Sequence, residues 1–277
     1  MAKPGMRIIL TGAARGIGRA MALRLARDSL GRYGSGARMV LTDLHQDELE
    51  GLAADLRRDG AEIHTVIADV ANPATPERLI DAAAQFEGLD AVVCNAGFAI
   101  PSPLLDARQE DWDKVFAVHV RAPWLLARAA HPLLRKAGGS IVVTTSISGS
   151  QPTAPLAAYS PSKAAALMLV RQMALEWGPD GIRVNALSPG ITETPGTAAV
   201  YVDPQARAQR SARVPLQRIA VADDMANALS FLVSPDSAYV TGAELLVDGG
   251  LSTALMGSLS MAGWQNAQAK TSPPRNP

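Results

Sequence analysis

Short apolar runs alternate with longer stretches in which apolar and polar residues recur at helical spacing, and this alternation fills most of the chain. The apolar runs have the length of strands, and several are nearly continuous, which is typical of strands buried on both faces of a parallel sheet. Helices that alternate with such strands cover the two faces of the sheet. The pattern predicts strands at residues 6–10, 39–42, 62–68, 89–94, 140–145, 183–188 and 244–248, and helices at 17–27, 46–59, 76–86, 110–136, 157–178 and 222–232.

Several segments depart from this alternation. Residues 28–38 are rich in turn-forming residues and predict a loop, and Pro123 predicts a kink within the long fourth helix. Residues 189–215 predict an irregular stretch. Because no linker divides the body, residues 1–254 predict one domain. The tail at 255–277 is rich in Ser, Ala, Gln and Pro and is expected to be partly disordered.

The composition excludes several functional classes. Hydrophobic residues make up 48% of the 277 residues, which is ample for a large core, and 26 basic side chains balance 26 acidic ones. A chain with no net charge is not expected to bind nucleic acid or an anionic membrane surface. One cysteine cannot form an intramolecular disulfide, and the four histidines lack metal-ligand spacing, so no metal is expected. With no signal peptide or spanning segment in the pattern, we expect a cytoplasmic protein.

A glycine-rich turn, TGAARGIG at residues 11–18, follows the first predicted strand and opens the first predicted helix. Gly12, Gly16 and Gly18 allow the backbone to turn sharply and to approach a pyrophosphate, which then lies at a helix N-terminus. A glycine loop alone is weak evidence, because turns use glycine for local reasons. Its place between a strand and a helix favours phosphate binding.

The carboxylate of Asp43 ends the second predicted strand. At that position a carboxylate can bind an adenosine ribose and repels a 2′-phosphate, which favours NAD. It lies 25 residues after Gly18, against about 20 in the usual pattern, and an insertion at 28–38 explains the excess. The guanidinium of Arg15 favours NADP instead, because it could bind a 2′-phosphate. We give Asp43 the greater weight and predict NAD.

The segment YSPSK places Tyr159 and Lys163 one helical turn apart, and Ser146 lies thirteen residues before the tyrosine. Residues i and i+4 share a helix face, so both side chains can point into one cleft. A nearby ammonium and the ring of an oxidised nicotinamide would favour the phenolate and make Tyr159 a general acid–base. Ser146 could bind the same substrate oxygen through a hydrogen bond.

Taken together, these motifs resemble the short-chain dehydrogenase/reductase family over residues 6–252. The resemblance rests on their presence in the same order along the chain. They are TGAARGIG, Asp43, Asp69 with Val70, Asn95-Ala96-Gly97, Ser146, Tyr159 with Lys163, Pro189 with Gly190, Thr241 with Gly242, and the closing VDGG at 247–250.

The resemblance implies an α/β fold with a Rossmann-like, doubly wound parallel sheet of about seven strands and helices on both faces. It implies hydride transfer between a nicotinamide and a carbinol carbon, with Tyr159 moving the hydroxyl proton and Lys163 binding the nicotinamide ribose. A homotetramer, or a homodimer, is the implied assembly. The implied cofactor-binding residues are Gly12, Arg15, Gly16, Ile17, Gly18, Asp43, Asp69, Val70, Asn95, Ala96, Gly97, Tyr159, Lys163, Pro189, Gly190, Ile191 and Thr194.

One position departs from the family pattern. Where the family has an asparagine in the long helix, this chain has His119. In the family that residue holds a water through its backbone carbonyl, which survives the substitution. We therefore include His119 with Ser146, Tyr159 and Lys163 as a catalytic candidate, although its imidazole could alter the relay or serve only for packing.

The substrate is less constrained by the sequence. Ser146, Ser148, Gln151 and Tyr159 are the candidate substrate-binding residues, and we expect a small secondary alcohol, polyol or sugar. Arginines at 207, 210 and 213 would share one face of a helix, and a solvated face is the favoured interpretation.

Three alternatives stay open. The first is an NADPH-dependent ketoreductase resembling 3-oxoacyl-carrier-protein reductases, and the second is a non-catalytic nucleotide-binding protein. The third, a cofactor-free lyase of the halohydrin-dehalogenase kind, is disfavoured because such relatives lose the glycine loop and carry arginine in place of Lys163.

Overall fold

The structure is a computed structural model that describes residues 5–254. Strands and helices alternate along these residues, and seven of the strands belong to one sheet. In chain order the elements are β1 (Arg7–Thr11), α1 (Gly16–Tyr33), β2 (Arg38–Asp43), α2 (Gln46–Arg58), β3 (Glu62–Ile67), α3 (Thr75–Ala83), β4 (Ala91–Cys94), α4 (Gln109–Phe116), α5 (Ala122–Ala137), β5 (Ser140–Thr144), α6 (Tyr159–Trp177), β6 (Arg183–Pro189), β7 (Thr192–Glu193), α7 (Pro204–Arg213), β8 (Ala220–Val221), α8 (Ala222–Val233) and β9 (Glu244–Val247).

The main sheet is parallel throughout, with the strand order β3-β2-β1-β4-β5-β6-β9. The chain starts at the centre with β1, moves outward to β3, and then crosses back to β4 on the other side of β1. Ligands of open α/β sheets bind at such a reversal, beyond the carboxyl ends of the strands. The predicted doubly wound parallel sheet is confirmed, including its seven strands.

The core lies on both faces of this sheet. Successive residues of β1 show this directly, because Ile8 and Leu10 pack on one face and Ile9 packs on the other, all with no exposed surface. Helices α1, α2 and α8 cover the first face. Helices α3, α5 and α6 cover the second face. The continuous apolar runs in the sequence therefore belong to strands with no solvent-facing side.

The loop predicted for 28–38 is wrong over its first half, because α1 continues to Tyr33. The turn-forming residues of this segment have other roles in the structure. Ser29 is buried, and its Oγ accepts a hydrogen bond of 2.9 Å from the Met6 amide. Gly34 ends the helix in the left-handed region at φ 65°, where glycine has no steric penalty. The serine and glycine tie down and cap the helix instead of interrupting it.

The long fourth helix is interrupted, but the interruption precedes Pro123. Residues Ala117–Arg121 form a π-helical segment between α4 and α5, in which the Ala122 amide bonds the Ala117 carbonyl five residues earlier. Pro123 then lies in the first turn of α5, where a missing N–H is tolerated. The predicted kink is thus a widened turn that ends beside the proline.

The stretch predicted to be irregular at 189–215 also contains α7. Asp203 begins this helix as its N-cap, with its carboxylate accepting a bond of 2.9 Å from the Gln205 amide. Arg207 pairs with Glu193 at 2.7 Å. The ring of Tyr201 lies below Arg207 and Arg210, at 5.9 Å from each guanidinium carbon. This helix was missed because it has few apolar residues to mark a buried face.

No helix within residues 5–254 combines the length and the apolar character needed to cross a bilayer. The tail at 255–277 lies outside the described residues, so its predicted partial disorder stays a prediction.

Candidate active site

The glycine turn joins β1 to α1 and forms a cradle that larger residues could not form. Gly12 has φ 65°, and a Cβ there would lie 2.8 Å from the Cα of Ala96. A Cβ on Gly18 would lie 1.9 Å from the carbonyl oxygen of Gly12. These approaches leave the backbone at the start of α1 accessible to a ligand, which fits a pyrophosphate at a helix N-terminus.

The segment after β4 is bound to this cradle. The Oγ1 atom of Thr11 accepts bonds of 3.1 Å from the amides of Asn95 and Ala96. The amide side chain of Asn95 donates to the Gly12 carbonyl at 3.0 Å and accepts from the Thr144 hydroxyl at 3.2 Å. The predicted Asn95-Ala96-Gly97 segment therefore lies against the glycine turn and the end of β5.

Asp43, at the end of β2, also contacts the glycine turn. One carboxylate oxygen accepts a bond of 3.0 Å from the Ala14 amide. The other accepts from the amides of Leu44 at 2.7 Å and His45 at 3.1 Å, and its contact with the imidazole Nδ1 of His45 is 2.8 Å. Burial alone would raise the pKa of Asp43, but these hydrogen bonds outweigh it and lower the pKa. Asp43 is therefore a fixed anion beside the cradle.

Arg15 precedes the first turn of α1 and forms an ion pair with Glu48 in the first turn of α2. This partner was not predicted, because nothing in the spacing of Arg15 and Glu48 indicates that the two helices bring them together. The hydrogen bond to Arg15 holds the pKa of Glu48 below its usual value. The guanidinium of Arg15, the feature of the sequence that favours NADP, is therefore paired with the Glu48 carboxylate.

Tyr159 and Lys163 lie in the first turns of α6, and Ser146 lies just after β5. The Lys163 ammonium is 5.6 Å from the centre of the Tyr159 ring and donates a 2.9 Å bond to the Thr144 carbonyl. The side chain of Ser146 lies close enough to the Tyr159 phenol to lower its pKa. The structure therefore brings together all three residues of the predicted constellation.

The protonation of these groups differs from the sequence expectation. Burial lowers the pKa of Lys163 to about 7. Burial raises the pKa of Tyr159 above its usual value, and the hydrogen bond with Ser146 only partly offsets this. The expected lowering of the tyrosine pKa by Lys163 is therefore not seen in the protein alone, because a lysine with that pKa carries only part of a charge near neutral pH.

His119, in the π-helical segment, is 2% exposed and makes two hydrogen bonds. Its Nε2 accepts from the Phe98 amide at 3.2 Å, and its Nδ1 lies 2.8 Å from the Ser162 Oγ. Its ring stands edge-on to Tyr159, with centroids 5.5 Å apart. Burial, together with the charge of Lys163, lowers the pKa of His119 to about 2. The imidazole is thus neutral beside the tyrosine.

The backbone of His119 has a second feature. Pro123 is four residues further on and has no N–H. The bond that an α-helix would form with the carbonyl of His119 therefore cannot come from Pro123. In the family this carbonyl is the one implied to hold a water, and the proline removes its usual α-helical donor. The relay implied by the resemblance is compatible with histidine at this position.

The remaining predicted residues follow the carboxyl ends of other strands. Asp69 follows β3, and its Oδ1 accepts a bond of 2.8 Å from the Ala71 amide. Gly190 follows β6 and packs closely against Asp248. A Cβ on Gly190 would lie 2.7 Å from the Cα of Asp248. Thr194 lies against the glycine turn, since a Cβ on Gly16 would be 3.2 Å from its Cβ. The other members of this group are Ile17 in α1, Val70 after Asp69, Pro189 at the end of β6 and Ile191 before β7.

Two candidate substrate residues lie just beyond Ser146. The amide of Ser148 donates to the Ser146 Oγ at 3.1 Å, and the Ser148 hydroxyl is 2.8 Å from the Thr153 hydroxyl. Gln151 has an exposed side chain, and its backbone N–H donates a hydrogen bond of 2.8 Å to the Ile147 carbonyl. Thr153 and Ser162 were missed, because hydroxyls in a loop or a helix have no distinctive spacing. Within residues 5–254, no group of three His, Cys, Asp or Glu side chains is placed to hold a metal ion.

Comparison with known proteins agrees with this geometry. Residues 12–252 match the family model described as enoyl-(acyl carrier protein) reductase. Glucose 1-dehydrogenase of Gluconobacter oxydans is 36% identical over 251 residues, covering 89% of this chain and 92% of that protein. Dehydrogenase/reductase SDR family member 4 of Homo sapiens is 32% identical over 245 residues, covering 87% of this chain and 86% of that protein.

Solved structures show the same likeness. A candidate gluconate 5-dehydrogenase of Beutenbergia cavernae, with NADP bound at low occupancy, has a TM-score of 0.82 and 33% identity, covering 91% of this chain and 98% of that one. Levodione reductase has a TM-score of 0.82 and 30% identity, covering 90% and 98%. With its cradle, its Ser146, Tyr159 and Lys163 and these relatives, the chain belongs to the short-chain dehydrogenase/reductase family of nicotinamide-dependent oxidoreductases.

Proposed function

We propose that this protein is an NAD-dependent dehydrogenase/reductase that interconverts a secondary alcohol, a polyol or a sugar and the corresponding ketone. The observation that carries the proposal is the position of the buried Lys163 ammonium, 5.6 Å from the centre of the Tyr159 ring, with Ser146 beside the phenol. This group lies at the same sheet edge as the glycine cradle. A general acid–base next to a dinucleotide site is the arrangement that carbinol oxidation needs.

The residues present fit a dinucleotide, because the cradle needs glycine at Gly12 and Gly18 for steric reasons. The pyrophosphate would lie at the start of α1, near Arg15, Gly16 and Ile17. Asp43 would hold the adenosine ribose, and Lys163 the nicotinamide ribose. When bound, the nicotinamide accepts or supplies the hydride. The other binding residues would be Asp69, Val70, Asn95, Ala96, Gly97, Tyr159, Pro189, Gly190, Ile191 and Thr194.

Tyr159 would exchange the proton of the substrate hydroxyl at its Oη atom. Ser146 would donate or accept a hydrogen bond at the same substrate oxygen and so orient it. Because burial raises the pKa of Tyr159 in the protein alone, the phenol is the resting form. In this form Tyr159 can protonate a substrate carbonyl. Oxidation of an alcohol needs the phenolate instead, and a positive charge nearby favours the phenolate.

Lys163 would stabilise that phenolate in its ammonium form. Any neighbouring anion raises the pKa of a buried lysine from the value of about 7 that burial imposes. His119 would take part through its backbone carbonyl and through its side-chain contacts with Phe98 and Ser162. Its neutral ring is not needed as a proton carrier.

The preference for NAD is supported by Asp43, whose carboxylate is fixed beside the Ala14 amide. A carboxylate there accepts hydrogen bonds from a ribose 2′-hydroxyl and repels a 2′-phosphate. A second candidate is an NADPH-dependent ketoreductase. Arg15 favours it, and so does the NADP bound in the structures from Beutenbergia cavernae and Agrobacterium tumefaciens.

The substrate class follows from the polar groups next to Ser146. Ser148 and Gln151 offer a hydroxyl and an amide to a second oxygen of the substrate, which suits a polyol or sugar. Two of the relatives are named for glucose and gluconate, and these names also support a polyol or sugar substrate. Cytoplasmic localisation remains part of the proposal.

The proposal can be tested without knowing the substrate. Fluorescence titration with NADH and, separately, NADPH measures the two dissociation constants. A panel of secondary alcohols, polyols and aldoses with NAD then reports turnover as NADH absorbance. Tighter NADH binding and turnover of at least one polyol or sugar are expected. Tighter NADPH binding would favour the ketoreductase, and binding of neither would leave the redox proposal without support.

We also propose a homotetramer or homodimer. Large apolar side chains stand exposed on α5 and α6, with Trp124 at 41%, Met168 at 58% and Leu175 at 75%. Trp112 and Phe116 of α4 line a groove beside them. Apolar surface of this kind marks interfaces. Light scattering after size-exclusion chromatography measures the mass directly, and a 29.0 kDa species would contradict this part of the proposal.

A further inference from the structure

Helices α1 and α2 face each other with opposite charges close to the cradle. Arg15, at the start of α1, pairs with Glu48 in the first turn of α2. One turn further along, Arg19 pairs with Asp55 at 3.3 Å. In the Arg15 pair the guanidinium is 46% exposed and the carboxylate 43% exposed, so a ligand can reach both groups.

We propose that Glu48 sets the cofactor preference of this protein by holding Arg15, so that the guanidinium is not free to bind a 2′-phosphate. The inference rests on the proposed nicotinamide site. It assigns a specificity role to a residue that does not itself touch the substrate, and it accounts for an NAD preference in a chain that carries the arginine expected of NADP binding.

The position of the pair carries the argument. The carboxylate of Asp43 bonds the amide of Ala14, the residue before Arg15. Its other oxygen bonds the amide of His45, three residues before Glu48. Arg15 and Glu48 are therefore held near Asp43 from two sides. An acidic residue at this place binds the ribose 2′-hydroxyl of NAD, and a nearby arginine accommodates the 2′-phosphate of NADP.

The charges decide between the two cofactors. Asp43 and Glu48 together carry two negative charges against the one positive charge of Arg15, and the exposed Asp47 adds another acid to the same helix turn. A phosphate monoester brings about −1.5 to −2 further charges near pH 7. It would have to displace Glu48 from Arg15 and then lie beside Asp43. A 2′-hydroxyl needs neither change, because it can donate directly to Asp43.

The imidazole of His45 is another basic group near Asp43, and it is already in contact with that carboxylate. Arg19 is held by Asp55. Arg15 is therefore the cation whose release would change the site most. Replacing Glu48 by glutamine removes one negative charge and keeps the side-chain shape, so Arg15 loses its ionic partner without a new cavity or clash.

The test is a comparison of dissociation constants for NADPH and NADH in the full-length protein. For Glu48→Gln, the NADPH-to-NADH ratio of dissociation constants is expected to fall by about three- to tenfold at low ionic strength, as one exposed charge next to a phosphate warrants. The change should shrink in about 0.5 M salt, because exposed charges are screened. A ratio is insensitive to a general loss of folded protein.

A second substitution checks that Glu48 acts through Arg15. In the wild-type background, the change in NADPH affinity caused by Arg15→Leu is the reference, and it should be smaller than in the Glu48→Gln background, because Glu48 already engages the guanidinium. In the Glu48→Gln background, the same change should abolish the gain in NADPH affinity. The non-additivity of the two substitutions is the measure of their coupling.

Two matched controls lie on the same helix. Glu50→Gln removes an exposed acid that faces Arg57 at 3.8 Å. Asp55→Asn removes the partner of Arg19. Both change the net charge by the same amount, and neither is expected to move the cofactor ratio by more than about twofold, since their charges are further from Arg15.

The outcomes are distinct. An unchanged ratio in Glu48→Gln, or a change equal to that in Glu50→Gln, overturns the role of Glu48 while leaving the proposed function intact. A wild-type protein that prefers NADPH also overturns it. If the wild-type protein binds neither NADH nor NADPH, the proposed function fails, and this inference fails with it.

Discussion

The Nδ1 atom of His119 lies 2.8 Å from the Oγ atom of Ser162, and this contact determines how the imidazole is protonated. The same Oγ is 2.7 Å from the carbonyl oxygen of Tyr159, which can only accept a hydrogen bond. Ser162 therefore donates to that carbonyl, and His119 donates from Nδ1 to Ser162. The Nε2 atom of His119 then accepts from the Phe98 amide. Both ring nitrogens are thus occupied, and the chain of bonds ends on the backbone of Tyr159, the proposed general acid–base.

Replacing this imidazole should affect packing and orientation rather than titration. His119→Phe keeps a ring but leaves the Phe98 amide without its partner, so the free energy of unfolding should fall by about 1–3 kcal/mol. The turnover number should fall by about tenfold because Tyr159 is less well held. Since the pKa of His119 is lowered to about 2, the inflections of the kcat/KM profile between pH 5 and 9 should keep their positions.

Urea unfolding and a pH series of kcat/KM measure the two effects. His119→Asn, whose amide can replace at least one of the two bonds, is expected to fall between the wild type and His119→Phe in both. Loss of an inflection near neutral pH in His119→Phe would show instead that the imidazole itself titrates during catalysis.

Removing the phenol of Tyr159 should separate binding from chemistry. Tyr159→Phe eliminates the atom that exchanges the substrate proton, so turnover should fall by at least about 100-fold. Cofactor affinity should stay within about threefold, because the glycine cradle and Asp43 are untouched. The comparison is Tyr239→Phe, which removes a phenol from a fully exposed residue and should change neither quantity. Full activity in Tyr159→Phe would contradict the assigned mechanism.

The predictable features are those in which the residue type at a few positions is enough to determine the local structure. The continuous apolar runs at Ile8 to Leu10 and at Val92 to Cys94 can only be buried on both faces, so they identify parallel strands. Gly12 and Gly18 reflect a steric limit on the backbone. The four-residue spacing of Tyr159 and Lys163 is a property of the helix itself.

The features that were not predictable depend on which elements meet. The ion pair of Arg15 with Glu48 joins two successive helices across an intervening strand, and their sequence does not show which of their side chains meet. The extension of α1 to Tyr33 depends on the bond between Ser29 and the Met6 amide, 23 residues away. The raised pKa of Tyr159 follows from burial, which a local motif does not report. Tertiary packing overrides the local preference in each case.

The buried ammonium of Lys163 should make stability depend on pH in a defined direction. Its pKa is near 10.5 in an unfolded chain and about 7 in the unliganded fold. Between these values the unfolded state binds more protons than the folded state, so this group's contribution to stability improves as the pH rises from about 7 towards 10. Lys163→Met removes the cost of burying the ammonium. Its free energy of unfolding should exceed that of the wild type by the largest amount at about pH 6 to 7.

Denaturant unfolding of both proteins without cofactor, at pH 6.5 and at pH 9.5, measures this difference. The advantage of Lys163→Met over the wild type should shrink at the higher pH. Arg128→Met, an exposed cation of α5 stacked at 4.9 Å on Trp124, serves as the control and should show no such trend. An equal difference at the two pH values would mean that Lys163 keeps its proton in the folded state, and it would contradict the lowered pKa.

Two glycines of the same helix offer the sharpest test of the cradle. A Cβ on Gly18 would lie 1.9 Å from the Gly12 carbonyl oxygen, whereas a Cβ on Gly31 meets no atom within 4 Å. Gly18→Ala should therefore force the glycine turn away from its present position and weaken NADH binding by at least about tenfold. Gly31→Ala should stabilise the protein by about 0.5–1 kcal/mol, because alanine is the better helix former. Thermal unfolding and NADH titration distinguish the two. Equal behaviour of both variants would mean that the close approach of Gly18 to Gly12 does not shape the cofactor site.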